Sequence, residues 1–353
     1  MISFIIPAHN EQLCLGRTLD AIHDSARPVG APYEVIVVDD ASTDATAEIA
    51  RQHHATVLSV NHRQIAATRN AGGRAAQGER LFFVDADTFI SPQLLRAALR
   101  ALDKGAVGGG APVRLEPPVP LYARLLVVLF SIFMRIAELS GGAFMFATRE
   151  AFHAVGGFDE RLYAAEDPAF SSALKREGRF ALLWTPALTS GRRARTTSGL
   201  AMIWFFLSLA FLPLRKLRRR SSVQKMWYES DREGDESRYG TLAFKLSNFA
   251  ALVLILLFLS GPLWMIPLPE SLASSWSGTF KYGMQVLQCH FGLVLLPCAY
   301  LLLRVLLSQK RWIERIKLIV LIFLCLWISL TSLREVYWIW RGYLLWIAEY
   351  FSR

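Results

Sequence analysis

The stretch VIVVDDASTD (35–44) runs from β-branched residues into two adjacent aspartates and a turn-forming Ser-Thr-Asp. Comparable apolar runs are ISFII (2–6), EVIVV (34–38), TVLSV (56–60) and LFFV (81–84), separated by helical patterns over 10–26, 42–53 and 64–76. Asn10 is the expected N-cap of the first helix. The runs do not alternate apolar with polar residues, which is typical of parallel strands covered on both faces. The first half therefore predicts an α/β domain with a mostly parallel central sheet and helices on both faces.

Polar residues follow three of these runs: His9, Asn10 and Glu11 after the first, Asp39 and Asp40 after the second, and Asp85 and Asp87 after the fourth. In open α/β sheets, ligands bind outside the carboxyl ends of the strands. Taken singly, an Asp-Asp before Ser-Thr-Asp is often a turn with a helix cap, and an Asp-x-Asp occurs by chance. Three such clusters at one sheet edge together predict a binding crevice.

The composition divides the chain of 353 residues, which has a net charge of +10 and a mean hydropathy of +0.31. Residues 1–199 hold 21 Lys and Arg against 20 Asp and Glu, whereas residues 200–353 hold 18 against 9 and nine of the ten tryptophans. A nucleic-acid-binding protein usually carries its charge on a polar domain. Here the charge accompanies long apolar runs, which indicates membrane anchoring and no nucleic-acid partner.

Four segments in order resemble the family-2 glycosyltransferases of GT-A fold: FIIPAHNE (4–11), VIVVDDASTD (35–44), RNAGGRAAQGERLFFVDADT (69–88) and GGAFMFATREAFHAVGGFDERLYAAED (141–167). The resemblance covers roughly residues 1–195. It implies a GT-A nucleotide-diphospho-sugar transferase domain over residues 1–199. It also implies a nucleotide-sugar donor and a divalent metal, Mg²⁺ or Mn²⁺.

The resemblance assigns the donor side of the site. Asp85 and Asp87 match the family's DxD motif and would hold the metal against the diphosphate, with Asp87 as the more direct ligand. Other residues expected at the donor are Pro7, His9, Glu11 and Asp39 or Asp40. Arg69 matches an arginine that reaches the base or the diphosphate of the nucleotide, although a helix-surface arginine is an equally good interpretation.

Asp167 matches the position of the family's catalytic base, which takes the proton of an acceptor hydroxyl as that oxygen attacks the anomeric carbon. The expected outcome is inversion of configuration. Glu166 would support the acceptor or orient the loop. Acidic residues also complement the N-terminus of a helix expected over 168–177, and both roles are compatible.

Two departures from the family pattern affect these expectations. Ser190 stands roughly where many relatives carry a metal-contacting histidine, and Arg192, Arg193 and Arg195 either supply charge to the diphosphate or form a basic patch near the membrane. The QxxRW motif of processive polysaccharide synthases is absent. The nearest match, QKRW at 309–312, is one residue short, so processive synthesis is disfavoured.

The second half predicts a linker over 200–245 and a membrane domain over 246–353. Expected spans are 246–267, 282–303 and 318–333, and the aromatic-rich stretch 336–351 is either an interfacial helix or a fourth span. The run 200–214, followed by basic residues at 215–220, is expected to lie along the membrane surface. The basic connection 304–317 predicts that the catalytic domain faces the cytosol.

Two further features concern the first half. ISFII follows Met1 without a basic n-region, so we expect no signal peptide. Cys14 has no CxxC partner, so we expect the domain to lie in a reducing, cytosolic compartment. The run LLVVLFSIFM (125–134) has two interpretations, a buried core helix or a membrane-facing wall where a lipid-linked acceptor enters.

The sequence therefore predicts an integral protein of a bacterial inner or plasma membrane that transfers a sugar to a hydroxyl of a lipid or lipid-linked acceptor. One alternative is a polyprenyl-phosphate glycosyltransferase, whose ionised acceptor would need no base. A second is a catalytically inactive membrane scaffold that retains the GT-A fold. A transporter is disfavoured, because the expected spans lack paired charges.

Overall fold

The computed structural model describes residues 1–203, 244–252 and 255. The chain divides into two compact units, Met1–Phe249 and Ala250–Arg353. Within the described residues, no helix combines the length and the hydropathy needed to cross a membrane. The expected spans 282–303 and 318–333 and the helix 336–351 lie outside the described residues, as does most of 246–267 and of 200–214.

A seven-stranded sheet forms the centre of the first unit. Its spatial order is β3 (Thr56–Val60), β2 (Tyr33–Asp40), β1 (Ile2–Ala8), β4 (Arg80–Val84), β8 (Phe144–Thr148), β6 (Ala106–Gly110) and β9 (Arg179–Leu182). Strand β8 runs antiparallel to both of its neighbours, and the other adjacent pairs are parallel. The predicted α/β architecture with a mostly parallel sheet is confirmed.

Helices cover both faces of this sheet. Neighbouring residues of a strand point to opposite sides, and both sides of these strands carry apolar side chains that the helices bury. Phe4 packs in a core cluster with Leu19, whereas the next residue, Ile5, packs in a second cluster with Phe170. The helices are α1 (Leu15–Ala26), α2 (Thr46–Gln52), α3 (Ile65–Ala75), α4 (Pro92–Asp103), α5 (Leu121–Ile136), α6 (Arg149–Ala154), α7 (Glu166–Glu177) and α8 (Arg192–Thr196). Residues 199–203 and 244–252 are also helical.

A second sheet of three short strands has the order β5 (Thr88–Phe89), β10 (Ala187–Thr189) and β7 (Val113–Leu115). Short strands such as these carry too little hydrophobic periodicity to be predicted from the sequence. The sheet brings residues 187–190 beside the DxD segment, where the backbone N–H of Ser190 donates to the carbonyl of Asp87 at 2.9 Å.

The predicted start of the first helix is wrong. Helix α1 begins at Leu15, and Asn10 adopts a left-handed conformation with φ 53° in the preceding loop. Its side-chain oxygen accepts a hydrogen bond from the backbone of Thr43 at 2.8 Å. The side-chain oxygen that was expected to cap the helix is therefore bonded to Thr43, 33 residues later in the chain.

Helix α5 contains the apolar run 125–134, for which the sequence left two interpretations. Its buried residues are only Tyr122, Ala123 and Met134. Large apolar side chains on the rest of the helix are half-buried or exposed. The structure therefore rules out the buried core helix.

Candidate active site

Three parallel strand ends bring the predicted polar clusters to one edge of the sheet. Strands β2 and β4 flank β1, and the last pair in the register of β1 and β2 is Ala8 with Asp39. The loops that follow carry His9 and Glu11 after β1, and Asp85 and Asp87 after β4. This is the edge at which open α/β sheets bind ligands.

Arg69 lies at the centre of this edge, and its side chain is only 1% exposed. From α3 it donates through Nη2 to Asp85 at 2.8 Å, and through Nη1 to Asp167 at 2.6 Å and to Glu166 at 3.1 Å. The interpretation of Arg69 as a helix-surface residue is therefore wrong. One guanidinium instead joins the DxD segment to the Glu-Asp pair at the start of α7.

Charge is unbalanced in this group, which we call the Arg69 cluster: Arg69, Asp85, Glu166 and Asp167. Burial alone would lower the pKa of Arg69, but the three carboxylates outweigh that effect and hold it above its ordinary value. Burial raises the pKa of Glu166, and it raises the pKa of Asp167 to about 8 against the pull of Arg69. One positive charge cannot compensate one buried and two partly buried carboxylates, so a proton is retained near neutral pH.

Asp87 lies outside the Arg69 cluster. The hydroxyl of Thr189 donates to its carboxylate at 3.4 Å. Burial, with the nearby carboxylates of Glu11 and Asp85, raises the pKa of Asp87 to about 7, against the opposing charges of Arg193 and Arg192. An ionised Asp87 therefore calls for a cation at this position.

The donor set around Asp85 and Asp87 fits a divalent metal of the Mg²⁺ or Mn²⁺ type. Within the described ranges, no three His, Cys, Asp or Glu side chains are grouped as a complete metal cage. Magnesium usually keeps several waters and takes one or two carboxylates together with substrate phosphates. Two carboxylates that repel each other at a partly open edge match that mode of binding.

Arg192 is paired within the protein. From α8 it donates through Nη2 to both carboxylate oxygens of Glu11, at 2.8 and 3.1 Å. Arg195 instead donates to the carbonyl of Pro118 at 3.2 Å. Ser190, which the resemblance aligns roughly with a metal-contacting histidine, is buried, and its hydroxyl accepts from the backbone of Arg192. Of the three arginines, Arg192 and Arg193 lie near enough to Asp87 to oppose the rise in its pKa. Arg195 is directed elsewhere, because its guanidinium is bonded to Pro118.

Asp40, one of two residues that the resemblance offered as a donor contact, is hydrogen-bonded within the protein. Its carboxylate accepts from the backbone N–H groups of His62, Arg63 and Gln64 and from the hydroxyl of Thr68. These bonds order the loop between β3 and α3. The exposed fraction of Asp40 is only 2%, and that of its neighbour Asp39 is 7%.

The hydrogen bonds of His9 fit the imidazole tautomer that carries its proton on Nδ1. Nδ1 lies 2.8 Å from the carbonyl of Asp40 and must donate to it, so Nε2 accepts from Arg63 at 2.7 Å. Pro7 is buried within β1. Arg63, which has a positive φ of 51°, was not identified from the sequence. A lone arginine in a loop gave no pattern that could have revealed it.

Gly142 is a second residue of the site that the motifs did not assign. A Cβ atom at this position would lie 2.3 Å from Oδ2 of Asp167 and 2.6 Å from Nη2 of Arg69. Its carbonyl also accepts from Arg69 at 3.4 Å. The Gly-Gly pair before β8 was the available signal, since adjacent glycines often mark a close approach of backbone to a functional group.

Residues 3–144 match the sequence model of the family described as glycosyl transferase family 2. The match includes the segments that carry Arg69 and Asp85, and it ends before Glu166 and Asp167. Residues of the Arg69 cluster thus come from both sides of the matched boundary.

Individual relatives match shorter segments. The chain is 33% identical over 110 residues to a validoxylamine A glucosyltransferase of Streptomyces hygroscopicus subsp. limoneus, covering 29% of this chain and 23% of that protein. It is 31% identical over 112 residues to an undecaprenyl-phosphate 4-deoxy-4-formamido-L-arabinose transferase of Edwardsiella ictaluri, covering 30% and 34%. The chain thus spans about a third or less of the length of these relatives.

Among solved structures, the chain is similar to the mannosyltransferase PcManGT from Pyrobaculum calidifontis, in complex with GDP-Man and Mn²⁺. The two are 20% identical, each is covered over 78% of its length, and the TM-score is 0.48.

Proposed function

We propose that this protein is a membrane-anchored, metal-dependent, inverting glycosyltransferase. It moves a sugar from a nucleotide sugar to a hydroxyl of a lipid or lipid-linked acceptor. The observation that carries the proposal is the Arg69 cluster, in which one buried guanidinium contacts both Asp85 and Asp167. A carboxylate suited to a metal–diphosphate and a carboxylate suited to proton abstraction are thereby fixed in one site.

Asp167 is the proposed general base. The acceptor oxygen forms a bond to the anomeric carbon while the bond from that carbon to the diphosphate breaks, and the hydroxyl proton passes to Asp167. Attack from the side opposite to the leaving group inverts the configuration. Arg69 holds Oδ1 of Asp167 at 2.6 Å, which leaves Oδ2 for the acceptor.

Asp85 and Asp87 are the proposed metal-holding residues. A divalent cation bound there would neutralise the charge that develops on the departing diphosphate. Arg192 is a candidate for a second positive charge, since the side chain that pairs with it, Glu11, belongs to the same edge. Donor binding would then require Arg192 to exchange Glu11 for a phosphate oxygen.

Membrane anchoring is proposed from the second half of the sequence, with the catalytic domain on the cytosolic side of a bacterial inner or plasma membrane. The apolar runs at 246–267 and 282–303 are long enough to span a bilayer. Similarity to a relative named as an undecaprenyl-phosphate transferase also keeps a polyprenyl-phosphate acceptor as the second candidate. That acceptor is already ionised, so it gives Asp167 no proton to remove.

The test is a panel of nucleotide sugars offered to the purified full-length protein with membrane lipids, with and without Mn²⁺. We expect one donor to yield a glycosylated lipid by mass analysis, and chelation with EDTA to abolish the product. Absence of metal-dependent transfer from every donor would overturn the proposed function and favour the inactive scaffold.

The pH dependence of transfer follows from the position of Asp167. Only the ionised carboxylate accepts a proton, and burial raises the pKa of Asp167 to about 8. We therefore expect kcat/KM to fall as the pH is lowered through about 8, at saturating metal concentration. A base with the ordinary pKa of about 4 would give a flat profile from about pH 6 to 9, and that result would contradict the assignment.

Gly142→Ala tests the close approach of backbone to the base. The added methyl group would displace Asp167 or Arg69, and a misplacement of about 1 Å can cost about 100-fold in rate. We expect kcat to fall by about that factor while the KM for the donor changes little. Gly141→Ala is the matched control, because its nearest neighbour would be a carbon of Phe130 at 3.8 Å. Equal effects of the two substitutions would show that the contact does not matter.

A further inference from the structure

Helix α5 presents an apolar face that no other described element covers. The exposed fractions are 55% for Leu121, 55% for Val128, 51% for Ile132, 39% for Phe133 and 44% for Ile136. Leu121, Val128, Ile132 and Ile136 recur at helical spacing and form a stripe along one side, with Arg124 in the same row and Phe133 beside it. We call this stripe the exposed face of α5.

Charge and aromatic residues around this face match a membrane surface. Residues 121–136 contain no acidic side chain, and their two arginines are Arg124 and Arg135. Trp184 is 80% exposed, with the guanidinium of Arg135 3.7 Å from its ring centroid. Aliphatic residues combined with arginine and an exposed tryptophan are typical of elements that lie in the headgroup region of a bilayer.

The first turn of α5 contacts the residues that precede the apolar run 200–214 in the sequence. The hydroxyl of Tyr122, in the first turn of α5, donates to the carbonyl of Thr197 at 3.1 Å. Three residues after Thr197 the apolar run 200–214 begins, and basic residues at 215–220 follow it. The N-terminal end of α5 therefore lies beside the point where the sequence turns from the catalytic domain to membrane-type composition.

The other end of α5 leads to the base. Ile136 is six positions before Gly142, so at most about 20 Å of extended chain separates them. Gly142 approaches Asp167 closely enough that even a methyl group would collide with its carboxylate. The C-terminal end of α5 therefore lies within about 20 Å of Gly142, which adjoins the group that would activate an acceptor.

From these observations we propose that the exposed face of α5, together with Trp184, docks onto the surface of a lipid bilayer. Arg124 and Arg135 contact anionic phosphate headgroups there. The docking rests on the proposed function only for the identity of the acceptor. If the acceptor is a membrane lipid, docking would bring its hydroxyl toward Asp167.

The test places a photo-crosslinking amino acid at Ile132 of the full-length protein. The protein is reconstituted in nanodiscs of phosphatidylethanolamine and phosphatidylglycerol, and the adducts are identified by mass. A matched control carries the same group at Gln77, an exposed residue between α3 and β4 at the opposite edge of the sheet. We expect phospholipid adducts at position 132 and none above background at position 77.

The charge component is tested in the same assay. Replacing phosphatidylglycerol with neutral phosphatidylcholine, or Arg124 with Glu, should lower the yield of lipid adduct by at least about threefold. Adducts from position 132 to another segment of the chain, or to a second copy, would overturn the docking, as would equal lipid labelling at positions 132 and 77. The crosslink requires no turnover, so failure of sugar transfer with intact labelling would overturn the proposed function alone.

Discussion

Asp167→Asn lowers the rate of sugar transfer to a hydroxyl acceptor by a factor of about 10²–10⁴, the range expected when a general base is lost. The amide has nearly the shape of the carboxylate but cannot take the acceptor proton. Donor binding, measured by calorimetry with the nucleotide sugar and Mn²⁺, changes little, because Asp85 and Asp87 remain. The rate that survives no longer depends on pH near 8.

Glu177→Gln is the matched control for this substitution. It removes a carboxylate from the exposed C-terminal end of the same helix, and transfer is expected to stay at the wild-type rate. Retained turnover in Asp167→Asn would remove this residue from the role of base. If turnover were retained with polyprenyl phosphate in particular, the ionised acceptor of the second candidate function would be indicated.

Arg69→Met destabilises the folded catalytic domain by about 3–5 kcal/mol, the cost of removing one partner from a buried ion pair. Three carboxylates then lie together without a counter-charge, and the pKa values of Glu166 and Asp167, already raised by burial, rise further. Carboxylates whose folded pKa exceeds the unfolded value make stability fall as the pH rises. The loss is therefore expected to be larger at about pH 8 than at about pH 5, as measured by thermal unfolding of the full-length protein.

Arg74→Met provides the comparison for this prediction. Arg74 belongs to the same helix, but its side chain is 56% exposed and lies 3.5 Å from Glu160. Exposed ion pairs contribute between zero and about 1 kcal/mol, so this substitution should change stability little at either pH. A loss in Arg69→Met no larger than that in Arg74→Met would show that the Arg69 cluster does not stabilise the fold.

The sequence predicted strands β1, β2 and β4 well because nearly all of their residues are buried, which covers both faces. Continuous runs such as 35–38 and 81–84 need no long-range information to be identified, and the acidic residues after them mark the strand ends. Antiparallel β8 and the second sheet could not be predicted in this way. Their direction and pairing depend on where the chain returns to the sheet. Short-range periodicity does not indicate which strand will be the partner.

The site residues show the same division. Asp85 and Asp167 were found through local motifs, whereas the buried position of Arg69 depends on partners 97 and 98 residues later in the chain. Asp40 was one of two alternatives for the donor contact, yet its bonds to residues 62–64 make it a support for a loop. A motif identifies which side chains are polar at a strand end, but only the tertiary fold decides which of them are already engaged.

The position of β8 has a consequence for synthesis of the chain. Strands β1 to β4 are complete once residue 84 is made, but β4 gains its second neighbour only when residues 144–148 follow. In the finished sheet β4, with the sequence RLFFV, is an interior strand. Until β8 has been made, β4 is an apolar edge strand with no partner on one side. Open edges of this kind are templates for pairing with another chain. The nascent protein is therefore expected to be most exposed to aggregation while the ribosome translates residues 85–143, between β4 and β8.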